Sequence, residues 1–308
     1  MAGRLPRIVS LLPSATEIVC MLGLEDALVG VTHECDYPVG VRGKPVLTAS
    51  RIAHQSLSSV EIDHAVRSQL DGHGSLYYLD ETRMRELAPD LILTQELCEV
   101  CAVSYRTVQQ AARRLDTDAT VISLEPSTIS DIMANIHTVA DLTDTSAKAE
   151  RVVADLRDRL AALENATREL ARPRTLVLEW LEPPFAPGHW VPEQVKRAGG
   201  EASFGFEGVQ SRVTTAADIR DYAPEVIVLA PCGFTIEDTL RQLPRARLPQ
   251  GWSELPAVQA GAVWAVDATS YFSRPGPRVV DGAEILARIL HPDVFGEPTH
   301  RQAKRCGG

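Results

Sequence analysis

The chain has 308 residues, 44% of them hydrophobic and 23% charged, close to the averages of soluble globular proteins, and at roughly 150 residues per domain this length fits two domains or one large α/β unit. Its 41 acidic and 31 basic residues give a net charge of −10, which argues against broad nucleic-acid binding through phosphate contacts. Six cysteines are too few for a disulfide scaffold, and the 20 glycines and 20 prolines are scattered rather than clustered, which argues against disorder and fibrous repeats.

At the amino terminus, Pro6-Arg7 leads straight into Ile8-Val9-Ser10-Leu11-Leu12, an apolar run too short for the core of a secretory signal. No stretch approaches the roughly 18 apolar residues of a membrane span. The expectation is therefore a cytoplasmic protein with reduced thiols, or a periplasmic or extracellular one if a signal has been removed. The run itself fits a first buried strand. Ser14 and Glu17 have capping-box spacing and predict a helix from about Ala15 to Leu22, ending at Gly23. Further strands are predicted at Leu28–Thr32, Pro45–Leu47, Tyr77–Leu79, Asp90–Thr94 and Ala119–Leu124. Helices are predicted over Val60–Leu70, Thr82–Leu87 and Val108–Leu115, and this alternation implies a mainly parallel sheet.

The middle of the chain is helical. Ile129, Ile132, Met133, Ile136, Val139 and Ala140 share one face, and a second run from Ala147 to Leu170 carries a stripe of Val152, Val153, Leu156, Leu160 and Leu163. Beyond Pro173 the opening pattern returns. Pro173-Arg174-Thr175-Leu176-Val177-Leu178 parallels Pro6–Leu11, Tyr222–Leu229 parallels Leu87–Thr94, and Val263–Asp267 parallels Val121–Glu125. Three strands recurring in one order predict an α/β protein of two Rossmann-like lobes, 1–126 and 173–308, joined by a long helical spine over 127–172.

In open parallel sheets, ligands bind beyond the carboxyl ends of the strands. That rule selects Ser14, then His33-Glu34-Cys35-Asp36-Tyr37, the segment Gln95–Tyr105 with Cys98 and Cys101, Glu179–Trp190, Pro231–Phe234 and Thr269–Arg278. Two facing lobes would gather these segments around one cleft. Trp180 and Trp190 fit either pocket walls or lobe core. Four thiols, Cys35, Cys98, Cys101 and Cys232, follow predicted strand ends. Their chemistry leaves several readings open: zinc held by thiolates, an iron–sulfur cluster, a redox dithiol, thiolate ligation of a chelate's metal, or four small buried residues. Cys20 is expected in the core, and Cys306 in an exposed basic tail, Arg301–Gly308. No P-loop, dinucleotide glycine fingerprint, nucleophile elbow or His-Glu-x-x-His is present.

Pro6–Glu17, Val29-Gly30-Val31 leading to Asp36-Tyr37-Pro38, Leu87–Ile92, Glu182-Pro183-Pro184-Phe185, Ala198-Gly199-Gly200 and Tyr271–Arg274 with Pro277-Arg278 occur in one order along nearly the whole chain. In this the chain resembles the cobalamin-binding and ferric-siderophore-binding proteins of ABC importers, and most closely those that bind vitamin B12. The resemblance implies the class III periplasmic-binding-protein fold and a monomeric binding protein without catalysis. Such a protein holds a cobalamin, or a related corrinoid or metal chelate, between lobes that rotate little, and serves an ABC transporter permease if exported. It places Tyr37, Phe185, Tyr271, Phe272 and Arg274 at or beside the corrinoid pocket. Two functional readings stand at this point. One is a corrinoid-binding module using these residues with Ser14, His33, Glu34, Trp180 and Trp190. The other is a cytoplasmic metalloprotein, a binding protein or an enzyme, with zinc or an iron–sulfur cluster on Cys35, Cys98, Cys101 and Cys232.

Overall fold

The structure, a computed structural model, describes residues 4–52, 57–71, 76–95, 108–111, 119–202 and 204–306. The chain divides into two compact units. Unit one comprises Met1–Leu57, Ile62–Pro126 and Asp131–Val153, and unit two comprises Ser58–Glu61, Ser127–Ser130 and Ala154–Gly308.

Unit one is built on β1 (Ile8–Ser10), β2 (Leu28–Val31), β3 (Thr48–Ser50), β4 (Tyr77–Leu79), β5 (Leu91–Thr94) and β6 (Thr120–Ser123). Its main sheet has the order β2-β1-β5-β6 and every pairing is parallel. β1 and β5 are buried at every position, as interior strands of a sheet covered on both faces must be. Val9, Leu11 and Ile92 pack there with Leu47, Leu79 and Met84. The third strand is Thr48–Ser50 rather than the expected Pro45–Leu47. Val46 makes only an isolated bridge to Val31, because β2 ends there and the chain goes on to pair antiparallel with β4.

Unit two contains β7 (Thr175–Leu178), β8 (Trp180–Leu181), β9 (Pro184–Ala186), β10 (Arg212–Val213), β11 (Val226–Leu229), β12 (Val263–Val266) and β13 (Ala303–Arg305). Strands β7, β11 and β12 lie side by side in parallel, in the order that β1, β5 and β6 take in unit one. The repeat read from the sequence is thus a repeat of topology. The two sheets differ at their edges. β2 lies outside β1 in unit one, whereas β13 runs antiparallel outside β12 in unit two.

β13 corrects the expectation of a solvated tail. Ala303–Arg305 completes the sheet, the Arg305 guanidinium lies 4.7 Å from the Trp264 ring centroid, and the backbone N–H of Cys306 donates to the Val263 carbonyl at 2.8 Å. Cys306 belongs to the core of unit two with Leu176, Ile227, Leu229 and Val263. In unit two a small antiparallel sheet, β8-β9-β10, takes two of its strands, β8 and β9, from the strand-end segment Glu179–Trp190.

The helical middle consists of Ile129–Asp141 and Ser146–Thr167. The second helix stops three residues before the expected Leu170, where the Thr167 hydroxyl turns back to the Leu163 carbonyl at 3.1 Å. The assignment to units changes within this helix, between Val153 and Ala154. In unit two Arg159 ties it to the helix Val279–Leu290 through Asp281 and, at 2.9 Å, Glu284. No helix among the described residues is long and apolar enough to cross a membrane.

Candidate functional site

In unit one the carboxyl ends of β1 and β2 are held together by hydroxyls. Pro13 opens the helix Pro13–Met21, where its missing N–H costs nothing, and Ser14 is buried in the first turn at 2% exposure. From the next residues of that turn, the Thr16 hydroxyl donates to Ser10 Oγ at 2.8 Å and lies 3.0 Å from Cys35 Sγ. Cys35 is therefore a buried thiol packed under the loop. His33 stands on the exposed side of the same loop. Its Nδ1 is 2.7 Å from the Thr48 hydroxyl, its backbone N–H donates to that oxygen at 3.1 Å, and its ring tilts against Tyr77 at 5.6 Å. Thr48 also lies 2.8 Å from Thr32 Oγ1, so one threonine on β3 orients the whole His33-Glu34 turn. Glu34 is half-buried and Tyr37 is 47% exposed. An imidazole, a carboxylate and an exposed phenol ring thus follow β2 within five residues.

Cys98 and Cys101 lie outside the described residues. Among the described residues no group of three or more His, Cys, Asp or Glu side chains could hold a metal ion. Cys35 is buried and Cys232 is exposed. Burial pushes the Cys20 thiol up to about 12, yet the residue is only half-buried, at the edge of the core in which it was expected. The alternative reading, a four-thiolate centre, finds no support among the described residues.

In unit two the loops after β7, β11 and β12 form one connected surface. Backbone bonds run from Cys232 N–H to the Glu179 carbonyl at 3.0 Å and from Thr269 N–H to the Phe234 carbonyl at 3.2 Å. Trp180 tilts against Phe234 at 5.2 Å, and its indole N–H donates to the Glu182 carbonyl at 3.1 Å. Phe185, on β9, is half-buried beside the exposed β10. Trp190 is buried and its indole N–H donates to the Phe272 carbonyl at 2.8 Å. Gln194 reinforces that contact by donating to the carbonyls of Tyr271 and Val279 at 3.0 and 2.8 Å. Phe272 is itself buried, while Tyr271 is half-buried with the Arg278 guanidinium 5.6 Å from its ring centroid. Arg274 is buried at 9% exposure. Of the expected aromatics, Trp180, Phe185 and Tyr271 retain exposed area, and Trp190 and Phe272 hold the loops from beneath.

Two groups in this surface were not singled out by sequence reasoning. Glu179 follows β7 directly and accepts a hydrogen bond from the Gly188 backbone N–H at 3.1 Å. Burial of its carboxyl outweighs this bond and one from the Ser211 side chain, and pushes its pKa up to about 7. His189 has left-handed backbone, φ +50°, which costs a non-glycine residue on the order of 1 kcal/mol. The surrounding backbone imposes it, since His189 N–H donates to the Val209 carbonyl at 2.7 Å and its carbonyl accepts from Gly208 at 2.9 Å. Gly188 is required beside it, because a Cβ there would come within 2.3 Å of Ser211 N and 2.5 Å of the Val209 carbonyl. The His189 ring is half-buried, and desolvation lowers its pKa, keeping the imidazole neutral near pH 7. The only sequence signal was a Gly-His pair inside the strand-end segment Glu179–Trp190.

A family model described as periplasmic binding protein matches residues 8–269. The vitamin B12-binding protein of Vibrio cholerae is 26% identical over 288 residues, covering 92% of this chain and 88% of that protein. An uncharacterized ABC transporter substrate-binding lipoprotein of Bacillus subtilis is 24% identical over 300 residues, covering 94% and 82%. Among solved structures, a periplasmic haem-binding protein from Pseudomonas aeruginosa superposes with a TM-score of 0.71 at 20% identity, covering 99% of this chain and 100% of that one. The Bacillus subtilis relative is described as a lipoprotein and the Pseudomonas aeruginosa structure as periplasmic, and the cytoplasmic expectation gains no support from them.

Proposed function

The chain belongs to the periplasmic binding protein family, and from that premise we propose that it is the substrate-binding component of an ABC importer whose ligand is a corrinoid. The observation that carries this reading is the likeness over 92% of the chain to a vitamin B12-binding protein. Its place of work is then outside the cytoplasmic membrane, and its partner is the permease of the importer. Its task is binding without catalysis.

The chemistry at the strand ends supports the same reading. A corrin ring presents a broad apolar face and a rim of amide arms. Recognition therefore calls for aromatic area and a few fixed polar groups. Unit one offers Tyr37 with His33, Glu34 and the buried Ser14. Unit two offers Trp180, Phe185 and Tyr271, with Arg274 for an amide carbonyl or the nucleotide-loop phosphate. Trp190 and Phe272 act beneath the surface by fixing the loop that carries Tyr271. Fluorescence titration with cyanocobalamin tests the reading, because Trp180 adjoins the proposed contact surface. Saturable quenching at one ligand per chain is expected. Quenching by haemin with no response to cyanocobalamin would move the assignment to a porphyrin.

A further inference from the structure

We propose that His189 is an axial donor to the cobalt of the bound corrinoid. The inference rests on the corrinoid reading above and adds to it a coordinate bond from this chain to the ligand's metal.

Four tethers converge on one residue. Gly188 is bonded to the Glu179 carboxylate at 3.1 Å, Trp190 to the Phe272 carbonyl at 2.8 Å, and the His189 backbone to Val209 and Gly208 at 2.7 and 2.9 Å. Together they join His189 to the residue just past β7 and to the loop after β12, which is the carboxyl-end side of the sheet where α/β ligands bind. They also hold a bulky residue in left-handed backbone, φ +50°, where glycine or asparagine is the easier choice. A histidine kept there for the loop's own sake would use its ring to brace the turn. Instead, among the described residues, neither ring nitrogen has a hydrogen-bond partner, and the ring tilts against the Trp190 indole at 5.6 Å. The result is a half-exposed, rigidly mounted imidazole whose lone pair is unused. Imidazole is a common protein donor to transition metals, and pre-positioning removes the ordering cost of binding.

The ligand class is a cobalt(III) corrinoid with an exchangeable upper ligand. In the exchange, the Co–O bond to water breaks as the imidazole nitrogen's lone pair forms a Co–N bond. Water leaves intact, the imidazole keeps its other N–H, and cobalt remains Co(III), so no oxidant or reductant is needed.

The experiment compares the full chain with His189→Asn, which tolerates left-handed backbone, and with His189→Ala. Each is mixed with aquacobalamin or with cyanocobalamin, whose cyanide is not displaced by imidazole. Binding is read by equilibrium dialysis and coordination by the near-ultraviolet band of the corrinoid. The expected result is a shift of that band to longer wavelength when wild type binds aquacobalamin, and no shift in either variant. Aquacobalamin affinity should fall about tenfold or more in the variants, while cyanocobalamin affinity stays within about twofold. Aquacobalamin binding to wild type without a band shift, or a shift that persists in His189→Asn, overturns the proposal and leaves the corrinoid reading standing. Failure of wild type to bind either cobalamin overturns the corrinoid reading and the axial donor with it.

Discussion

The backbone N–H of Arg7 donates to the Asp90 carboxylate at 2.8 Å, and in the second unit the N–H of Arg174 donates to Glu225 at 2.9 Å. Each arginine sits just before the first strand of its sheet, and each acid just before the neighbouring one. The side chains repeat the arrangement, since Arg7 Nε donates to the Ala88 carbonyl at 3.3 Å, beside a shorter bond to Leu87 at 2.8 Å, and Arg174 Nε to the Ala223 carbonyl at 2.9 Å. Ala88 and Ala223 both end their helices in left-handed backbone, φ +40° and +48°, immediately before a proline. The same clasp therefore registers β1 on β5 and β7 on β11.

For Asp90 the clasp has a defined pH sign. The Arg7 N–H and the Arg4 guanidinium hold its carboxyl below the ordinary value of 3.8. Its stabilising effect is present above that pH and is lost as pH falls through the lower folded value. Because the side chain is 48% exposed, solvent screening limits the effect, and Asp90→Ala should cost about 1 kcal/mol or less. Urea denaturation at pH 7 and at pH 3 should show that difference shrinking at the lower pH. A larger gap at pH 3 would contradict the assignment.

Glu179 should behave in the opposite way. Its folded pKa, about 7, lies above the ordinary 4.5 because burial disfavours the charge. Between those values the unfolded chain has released the proton while the folded one keeps it, so stability falls as pH rises from about 4.5 to about 7. The fall is bounded at roughly 3 kcal/mol, at 1.36 kcal/mol per pH unit. Glu179→Gln removes the titration and should flatten that part of the stability curve. An unchanged slope in the variant would place the titrating group elsewhere.

The thiols offer a chemical check on the fold. Cys232 is exposed, whereas Cys306 is buried against the second sheet and burial pushes its thiol up to about 11. Brief treatment of native protein with a maleimide, followed by peptide mapping, should find Cys232 modified and Cys306 unmodified, because thiolate and access both govern the rate. Rapid labelling of Cys306 without denaturant would mean that β13 is not docked.

Trp190→Phe tests whether the loop after β12 is held from below. The substitution keeps an aromatic ring but removes the 2.8 Å bond to the Phe272 carbonyl. It should cost about 1–3 kcal/mol, since a buried acceptor is left without that donor. Cobalamin affinity should fall with it, although Trp190 is buried. Unchanged stability and affinity would detach Trp190 from the site.

The paired strands were legible because β1, β5, β7, β11 and β12 are short apolar runs that a doubly covered sheet requires. The sheet β8-β9-β10 was not, since strands of two or three residues carry too little periodicity and form through tertiary pairing. β13 misled for another reason. Arg301, Lys304 and Arg305 advertise solvent, whereas Ala303 and Cys306 supply the buried positions. At the site, His33, Glu34 and Tyr37 could be found from their place after a strand. His189 lay in a segment chosen by the same rule but could not be told from its neighbours, because its mark is a backbone conformation enforced by Gly208 and Val209, some twenty residues further on.

Equilibrium dialysis of the purified chain against cyanocobalamin, with haemin as competitor, decides whether the ligand is a corrinoid. Saturable binding of one cobalamin per chain at micromolar concentration or tighter, undiminished by equimolar haemin, is the expected result. Absence of cobalamin binding at micromolar protein would contradict it.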